Sequence, residues 1–199
     1  GIDFYWRKKA LKYTKLKKDY TLLDVACGTG DFSIAAKKVT SGKIYGADLS
    51  FGMLKYFPTK ADWIKGRLAQ SVAEHLPFKE NIFTNIIVAF GVRNFYNINE
   101  GFNSFFRVLK DGGKVTILEF GLPKNQLIKS TYLFYFNKIL PAIGRVISKD
   151  QSAYTYLPKS VSAFDTKVDL KKELTDVGFK NIEVYSLTFG LVQIVIGEK

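Results

Sequence analysis

A chain of 199 residues with 47% hydrophobic content can bury one substantial core but not two, so a single domain over residues 1–199 is expected. No apolar run approaches the roughly 18 residues of a membrane span, no secretory signal is read ahead of the first strand, and the one cysteine excludes an internal disulfide; a cytoplasmic protein is the expectation. The formal charge of +12 attracts nucleic acid or an anionic membrane face, although lysine-rich surfaces also arise for other reasons.

In chain order, Trp6 to Lys18 is lysine-rich with a partial apolar stripe and predicts a basic helix. Strand-like runs follow at residues 20–26, 43–48, 62–65, 83–90 and 114–120, with helical stretches between several of them, beginning with 32–39. That rhythm predicts a mostly parallel sheet covered by helices. Arg107 to Lys114 reads as a helix end closed by a left-handed glycine, leading into a strand. From about 123 to 164 the rhythm breaks into an aromatic-rich helix (Tyr132, Phe134, Tyr135, Phe136), Pro141 and a polar stretch. An insertion after a strand's carboxyl end lies over the ligand crevice, so this segment predicts a lid with an apolar lining, or else aromatics that complete a local core. Leu170 to Val177 predicts a helix capped by Gly178, and residues 181–187 and 190–197 a closing antiparallel hairpin.

The informative turn follows the first strand. Leu22-Leu-Asp-Val-Ala-Cys-Gly-Thr-Gly-Asp31 ends an apolar run in Asp24 and a glycine-punctuated loop. Gly28 and Gly30 allow the backbone to approach a ligand, and Asp31 is placed to cap the next helix. Asp48 ends the second strand eighteen residues after Gly30, about the interval at which a carboxylate meets ribose hydroxyls in a nucleotide-binding unit. A plain tight turn is the alternative. The loop lacks the third glycine of the dinucleotide fingerprint and the Gly-Lys-Ser/Thr of a phosphate loop, which favours a nucleoside without phosphates. A catalytic role for Cys27 is not expected, since the only histidine, His75, is remote in sequence. No metal is expected.

Asp-x-x-x-Gly-x-Gly resembles motif I of S-adenosylmethionine-dependent methyltransferases. Asp24 to Asp31, Ala73-Glu-His-Leu-Pro-Phe78, Ala89-Phe-Gly-Val-Arg-Asn94, Leu118-Glu-Phe120 and Asp150-x-x-x-Tyr154-x-Tyr156-Leu157 together resemble, in order and spacing, the demethylmenaquinone and polyprenyl-benzoquinol C-methyltransferases. The likeness runs the length of the chain. It implies a class I, Rossmann-like α/β methyltransferase fold, with a mostly parallel sheet and a C-terminal antiparallel hairpin. It implies S-adenosyl-L-methionine as cofactor, held by Asp24 and the loop, with Gly28, Thr29 and Gly30 at the methionine end, Asp48 at the ribose, Leu49 or Met53 on an adenine face, and Val72 and Ala73 along the adenine edge. Val72 departs from the Asp or Asn usual in that family, which removes one side-chain bond to the exocyclic amine, and Ala89 stands where Ser is frequent.

The implied substrate is a polyprenyl quinol whose ring carbon attacks the sulfonium methyl. A phenol near pKa 10 needs a base or a cation to become sufficiently nucleophilic. Arg93 is the candidate cation, Asp150 the candidate proton acceptor, and Tyr154 or Tyr156 the candidates to orient the ring; for each, a bond that merely pins the structure is the alternative. The substrate's tail resides in a bilayer, so the basic helix and aromatic insertion are expected to dock peripherally on an anionic membrane surface. A homodimer is left open. Among rivals, an amino-methylating nucleic-acid enzyme would carry Asn/Asp-Pro-Pro-Tyr/Phe where this chain has Ala-Phe-Gly-Val-Arg-Asn, and a carbon-5 cytosine enzyme would need an absent Pro-Cys. No nucleic-acid partner is therefore expected. A non-catalytic adenosylmethionine-binding or membrane-docking protein is the third reading: Val72 argues for it, and intact Arg93, Asp150 and Tyr154 argue against it.

Overall fold

The computed structural model describes residues 1–16, 19–123, 125–134, 161, 164 and 168–199. Its described elements are α1 (Ile2–Thr14), β1 (Leu22–Val25), α2 (Asp31–Lys37), β2 (Ile44–Asp48), α3 (Phe51–Lys60), β3 (Leu68–Gln70), β4 (Phe83–Ala89), α4 (Ile98–Val108), β5 (Leu109–Phe120), α5 (Gln126–Phe134), α6 (Leu170–Val177), β6 (Lys180–Leu187) and β7 (Val192–Glu198). They form a seven-stranded sheet in the order β3-β2-β1-β4-β5-β7-β6. The first five strands pair in parallel, and β7 enters antiparallel to both β5 and β6.

Every residue of β1 is buried, as a strand covered on both faces requires. Leu22 packs with Ile44, Ile87 and Leu118 against Trp6, Ala10, Phe32 and Phe57 of the helices on one face. Its neighbour Leu23 points the other way, joining Ile86 and Val115 against Phe102, Phe105 and Leu174 of α4 and α6. The strand order reverses between β1 and β4, and in such sheets ligands bind beyond the carboxyl ends at the reversal.

Four expectations are corrected. The run at 62–65 is a 3-10 turn over Asp62–Ile64, and the third strand is Leu68–Gln70; Pro58 in the last turn of α3 and Gly66, at φ +71, displaced it along the chain. Helix α4 ends on extended Leu109, and Gly112, at φ +72, turns the chain within β5 instead of capping the helix. The N-terminal helix starts at Ile2, four residues before the expected Trp6, and ends at Thr14, with Trp6, Ala10, Leu11 and Thr14 buried. Asp31 does not cap α2; the cap position is Gly30, and the first-turn Ser33 N–H is taken by Asp24 from below. Gly178 at φ 111 caps α6 as expected. Most of the segment expected as a lid, with Asp150, Tyr154 and Tyr156, lies outside the described residues.

Candidate active site

The loop after β1 alternates in handedness, with Ala26, Gly28 and Gly30 at φ 53, 53 and 84. Its two glycines serve different ends. A Cβ on Gly30 would lie 2.0 Å from Cε2 of buried Phe57, so the position is filled by packing, whereas a Cβ on Gly28 would enter open space. Gly28 lines a cavity of about 390 Å³ at the carboxyl ends of β1, β2 and β4.

Asp48 closes the cavity's edge. Its carboxylate accepts the Gly28 N–H at 2.7 Å through Oδ2 and the Ser50 N–H at 2.8 Å through Oδ1, tying the loop to β2 and leaving lone pairs for a further donor. Ser50 in turn caps α3. Leu49 and Met53 are about half exposed beside it, and Val72 and Ala73 lie across from them in the same lining.

Asp24 sits elsewhere. It is buried beneath the loop, accepts both N–H and Oγ–H of Ser33 at 3.0 and 2.7 Å, and is absent from the cavity lining. Burial pushes its carboxyl up to about 7, against the hydrogen bonds from Ser33. The acid thus holds loop and helix together. Thr29 accepts from Lys60 Nζ at 3.1 Å on the outer side of the loop, where Lys60 also pairs with Asp31. Ala89, at the end of β4, packs into the core on the face of α1 to α3. Burial, with Asp24 and Asp48 nearby, pushes the Cys27 thiol up, so it is no nucleophile.

Residues outside the sequence expectation complete the lining. Ser71 Oγ is buried without a hydrogen-bond partner, an orphan that a ligand can satisfy. Glu74, Asn94, Phe95 and Tyr96 extend the wall, with Tyr96 81% exposed at the mouth. Phe90 holds φ 58, a strained conformation for an aromatic residue of the kind that clusters at functional sites. Among the described residues two carboxylates and no lysine or arginine line this cavity, in a chain carrying 30 Lys and Arg. Such a lining repels phosphate and favours a neutral nucleoside bearing a cationic group.

Arg93 lies beside this wall, in a 3-10 turn after β4. Its Nη1 donates to Glu119 at 2.7 Å and to the Phe90 carbonyl at 2.6 Å. Glu119, fully buried at the end of β5, also accepts the Phe120 N–H at 3.0 Å. Burial holds the Glu119 carboxyl above the usual range despite the guanidinium. The guanidinium stacks over Phe120, which is itself stacked on Phe90 at 4.4 Å, and its Nε–H is buried and unpartnered. The cation expected from sequence is therefore half of a buried ion pair with one N–H to spare. Trp6 meets Phe90 and Phe120 edge-on and donates to Thr188 Oγ1 at 2.8 Å, so α1 walls the far side of the same aromatic group.

Solved structures similar to this one include SAM-dependent methyltransferases from Thermotoga maritima (16% identity, TM-score 0.70, 99% of this chain and 89% of that one) and Aquifex aeolicus (19%, TM-score 0.67, 96% and 88%), which show the fold. Among curated relatives, the chain is 43% identical over its full length to 87% of a ubiquinone/menaquinone biosynthesis C-methyltransferase of Geotalea daltonii. It is also 35% identical over its full length to 83% of a demethylmenaquinone methyltransferase of Bacteroides fragilis. The model of the ubiE/COQ5 methyltransferase family matches residues 1–199. With this cavity and these relatives, the chain belongs to the ubiE/COQ5 methyltransferase family.

Proposed function

We propose that this enzyme transfers the methyl group of S-adenosyl-L-methionine to a ring carbon of a polyprenyl quinol, at the naphthoquinol or benzoquinol step of menaquinone or ubiquinone synthesis. The observation that carries this reading is the cavity where Gly28 and Asp48 meet, lined by no cation among the described residues and continuous with Phe90, Gly91 and Asn94 to Tyr96. When bound, the cofactor supplies an electrophilic methyl on a cationic sulfur. Asp48 is the acceptor for ribose hydroxyls, Leu49 and Met53 flank the adenine, and Val72, Ala73 and Ser71 follow its edge. With Val72 in place, the unpartnered Ser71 hydroxyl is the free side-chain donor on that edge.

On the substrate side, Phe90 and Tyr96 offer aromatic surface to a quinol ring. Because the Arg93–Glu119 pair is formally neutral, Arg93 acts here through directed hydrogen bonding, its spare Nε–H meeting the ring oxygen or a water on it as phenolate forms. Much of the rate comes from alignment, which supplies roughly 7–11 kcal/mol in favourable cases. Among the described residues no helix is long and apolar enough to cross a membrane. The headgroup is collected at an anionic membrane surface, towards which α1 contributes Lys8, Lys9 and Lys12, and its C-cap Lys15.

Calorimetric titration with S-adenosylhomocysteine tests the cofactor site. Asp48→Ala weakens binding by about 1.5–3 kcal/mol, the worth of charged hydrogen bonds, and Ser71→Ala by about 1 kcal/mol. Unchanged affinity in Asp48→Ala removes that carboxylate from the site.

A further inference from the structure

Among the described residues the cofactor cavity is lined by no cation, whereas a second concavity gathers several. Between α1 and α2 runs a groove of about 860 Å³. Leu11, Leu16, Ile34 and Ala35 contribute its apolar surface, and Phe4 and Tyr5 stand at the N-terminal end of α1. Five lysines line it, Lys8, Lys9, Lys12, Lys15 and Lys38, against one acid, Asp31, which is already paired with Lys60.

Lys8 and Lys12, four residues apart, share one face of α1, and Lys15 follows as the helix's left-handed C-cap at the end of the groove. Like charges so placed destabilise a helix, and among the described residues of the lining only the engaged Asp31 is acidic. An apolar trough under a cationic rim complements an amphiphile with an anionic head and an aliphatic tail. A second copy of this chain, itself at +12, brings the wrong charge to the rim. The run of Leu11, Leu16, Ile34 and Ala35 along the trough suits methylene chains, with aromatic rings only at its end, at Phe4 and Tyr5.

We propose that the α1–α2 groove binds an anionic phospholipid of the bilayer, its acyl chain along Leu11, Ile34 and Ala35 and its phosphate among Lys8, Lys12, Lys15 and Lys38. This rests on the reading that the enzyme works at a membrane surface, and names the lipid contact. Trp6 links the groove to the active site, because the same helix that lines the groove packs this residue against Phe90.

The test titrates the full chain with monomeric dioctanoyl-phosphatidylglycerol, with dioctanoyl-phosphatidylcholine and glycerol 1-phosphate as controls, and measures retention on vesicles of each lipid in parallel. Saturable binding of the phosphatidylglycerol is expected, with both controls about tenfold weaker or worse. Ala35→Phe, which fills the trough with the charges untouched, abolishes it. Lys12→Gln combined with Lys38→Gln, both exposed and outside the core, weakens it about thirtyfold, roughly fivefold per cation. Both variants keep wild-type turnover on a water-soluble quinol. Glycerol 1-phosphate binding as tightly as the lipid, equal affinity for the two lipids, or undiminished binding in both variants would overturn the proposal. So would duplex RNA binding or self-association abolished by the lysine variant with no lipid bound. Vesicle retention without monomeric lipid binding overturns the groove and leaves the membrane reading standing; monomeric binding without vesicle retention does the reverse.

Discussion

The glycine loop offers a matched pair of substitutions, because one methyl group added two residues apart meets opposite surroundings. In Gly30→Ala the new Cβ lies 2.0, 2.2 and 2.3 Å from three ring carbons of Phe57, a side chain that is 0% exposed and edge-on to Trp63. Overpacking of this kind costs about 1–3 kcal/mol, and the left-handed backbone at φ +84 adds about 1–2 kcal/mol for a residue with a Cβ. The sum, about 2–5 kcal/mol, is a large share of the roughly 5–15 kcal/mol that holds a domain together. Gly28→Ala meets only the backbone cost, since its Cβ enters open space and its N–H still reaches Asp48. A domain of this length loses about 2–4 °C of melting temperature per kcal/mol, so Gly28→Ala melts about 2–8 °C below wild type and Gly30→Ala up to about 20 °C below. The functional order is reversed. Gly28→Ala places its methyl in the cofactor cavity and, though folded, loses at least about tenfold in affinity for S-adenosylhomocysteine, equivalent to about 1.4 kcal/mol. Thermal melting and calorimetry on both variants read the two effects separately. Wild-type affinity in Gly28→Ala, or equal melting temperatures for the pair, would refute the division of roles.

Two further predictions concern the buried carboxylates. Because the folded-state pKa of Asp24 is raised from 3.8 to about 7, folding favours its protonated form; the stability this contributes is fully present below the unfolded value and is lost as pH rises through about 7. Asp24→Asn keeps an acceptor for Ser33 and removes that dependence, so denaturant titrations between about pH 4 and 7 show wild type losing stability relative to the variant by up to about 1.4 kcal/mol per pH unit; parallel curves contradict it. Arg93→Ala lowers turnover on a soluble quinol about 100-fold or more with little change in cofactor affinity, and Arg93→Lys does not restore it because lysine lacks the Nε–H of the fork. Turnover within a few-fold of wild type in either variant removes Arg93 from the chemistry.

The fold was largely legible because a parallel sheet buried on both faces leaves predominantly apolar runs, as at Leu22–Val25, interrupted only by Asp24, and at Ile86–Ala89 within β4. The third strand was not, since Leu68–Gln70 is only partly buried and short, and no periodicity distinguishes three such residues from a loop. In the site, Gly28 and Asp48 could be read from spacing alone. The contrast between Gly28 and Gly30 could not, because Phe57 reaches the loop from a helix twenty-seven residues further along the chain. The place of Asp24 beneath the loop was not legible for a related reason: Ser33, which donates to its carboxylate through both N–H and Oγ–H, lies nine residues on. The role of Glu119 has no signal in sequence, as its pairing with Arg93 depends on β4 and β5 being neighbours. Ser71 carries no sequence signal; its unpartnered hydroxyl is visible only in three dimensions.

The most direct measurement incubates the protein with S-adenosylmethionine labelled in its methyl group and a reduced short-chain demethylated quinol, then locates the label by mass spectrometry and carbon NMR. The account predicts label on a ring carbon of the quinol, one S-adenosylhomocysteine released per methyl transferred, and loss of both products in Arg93→Ala. Cofactor bound with no transfer to either a naphthoquinol or a benzoquinol, or label found on a phenolic oxygen or on added RNA, would contradict it.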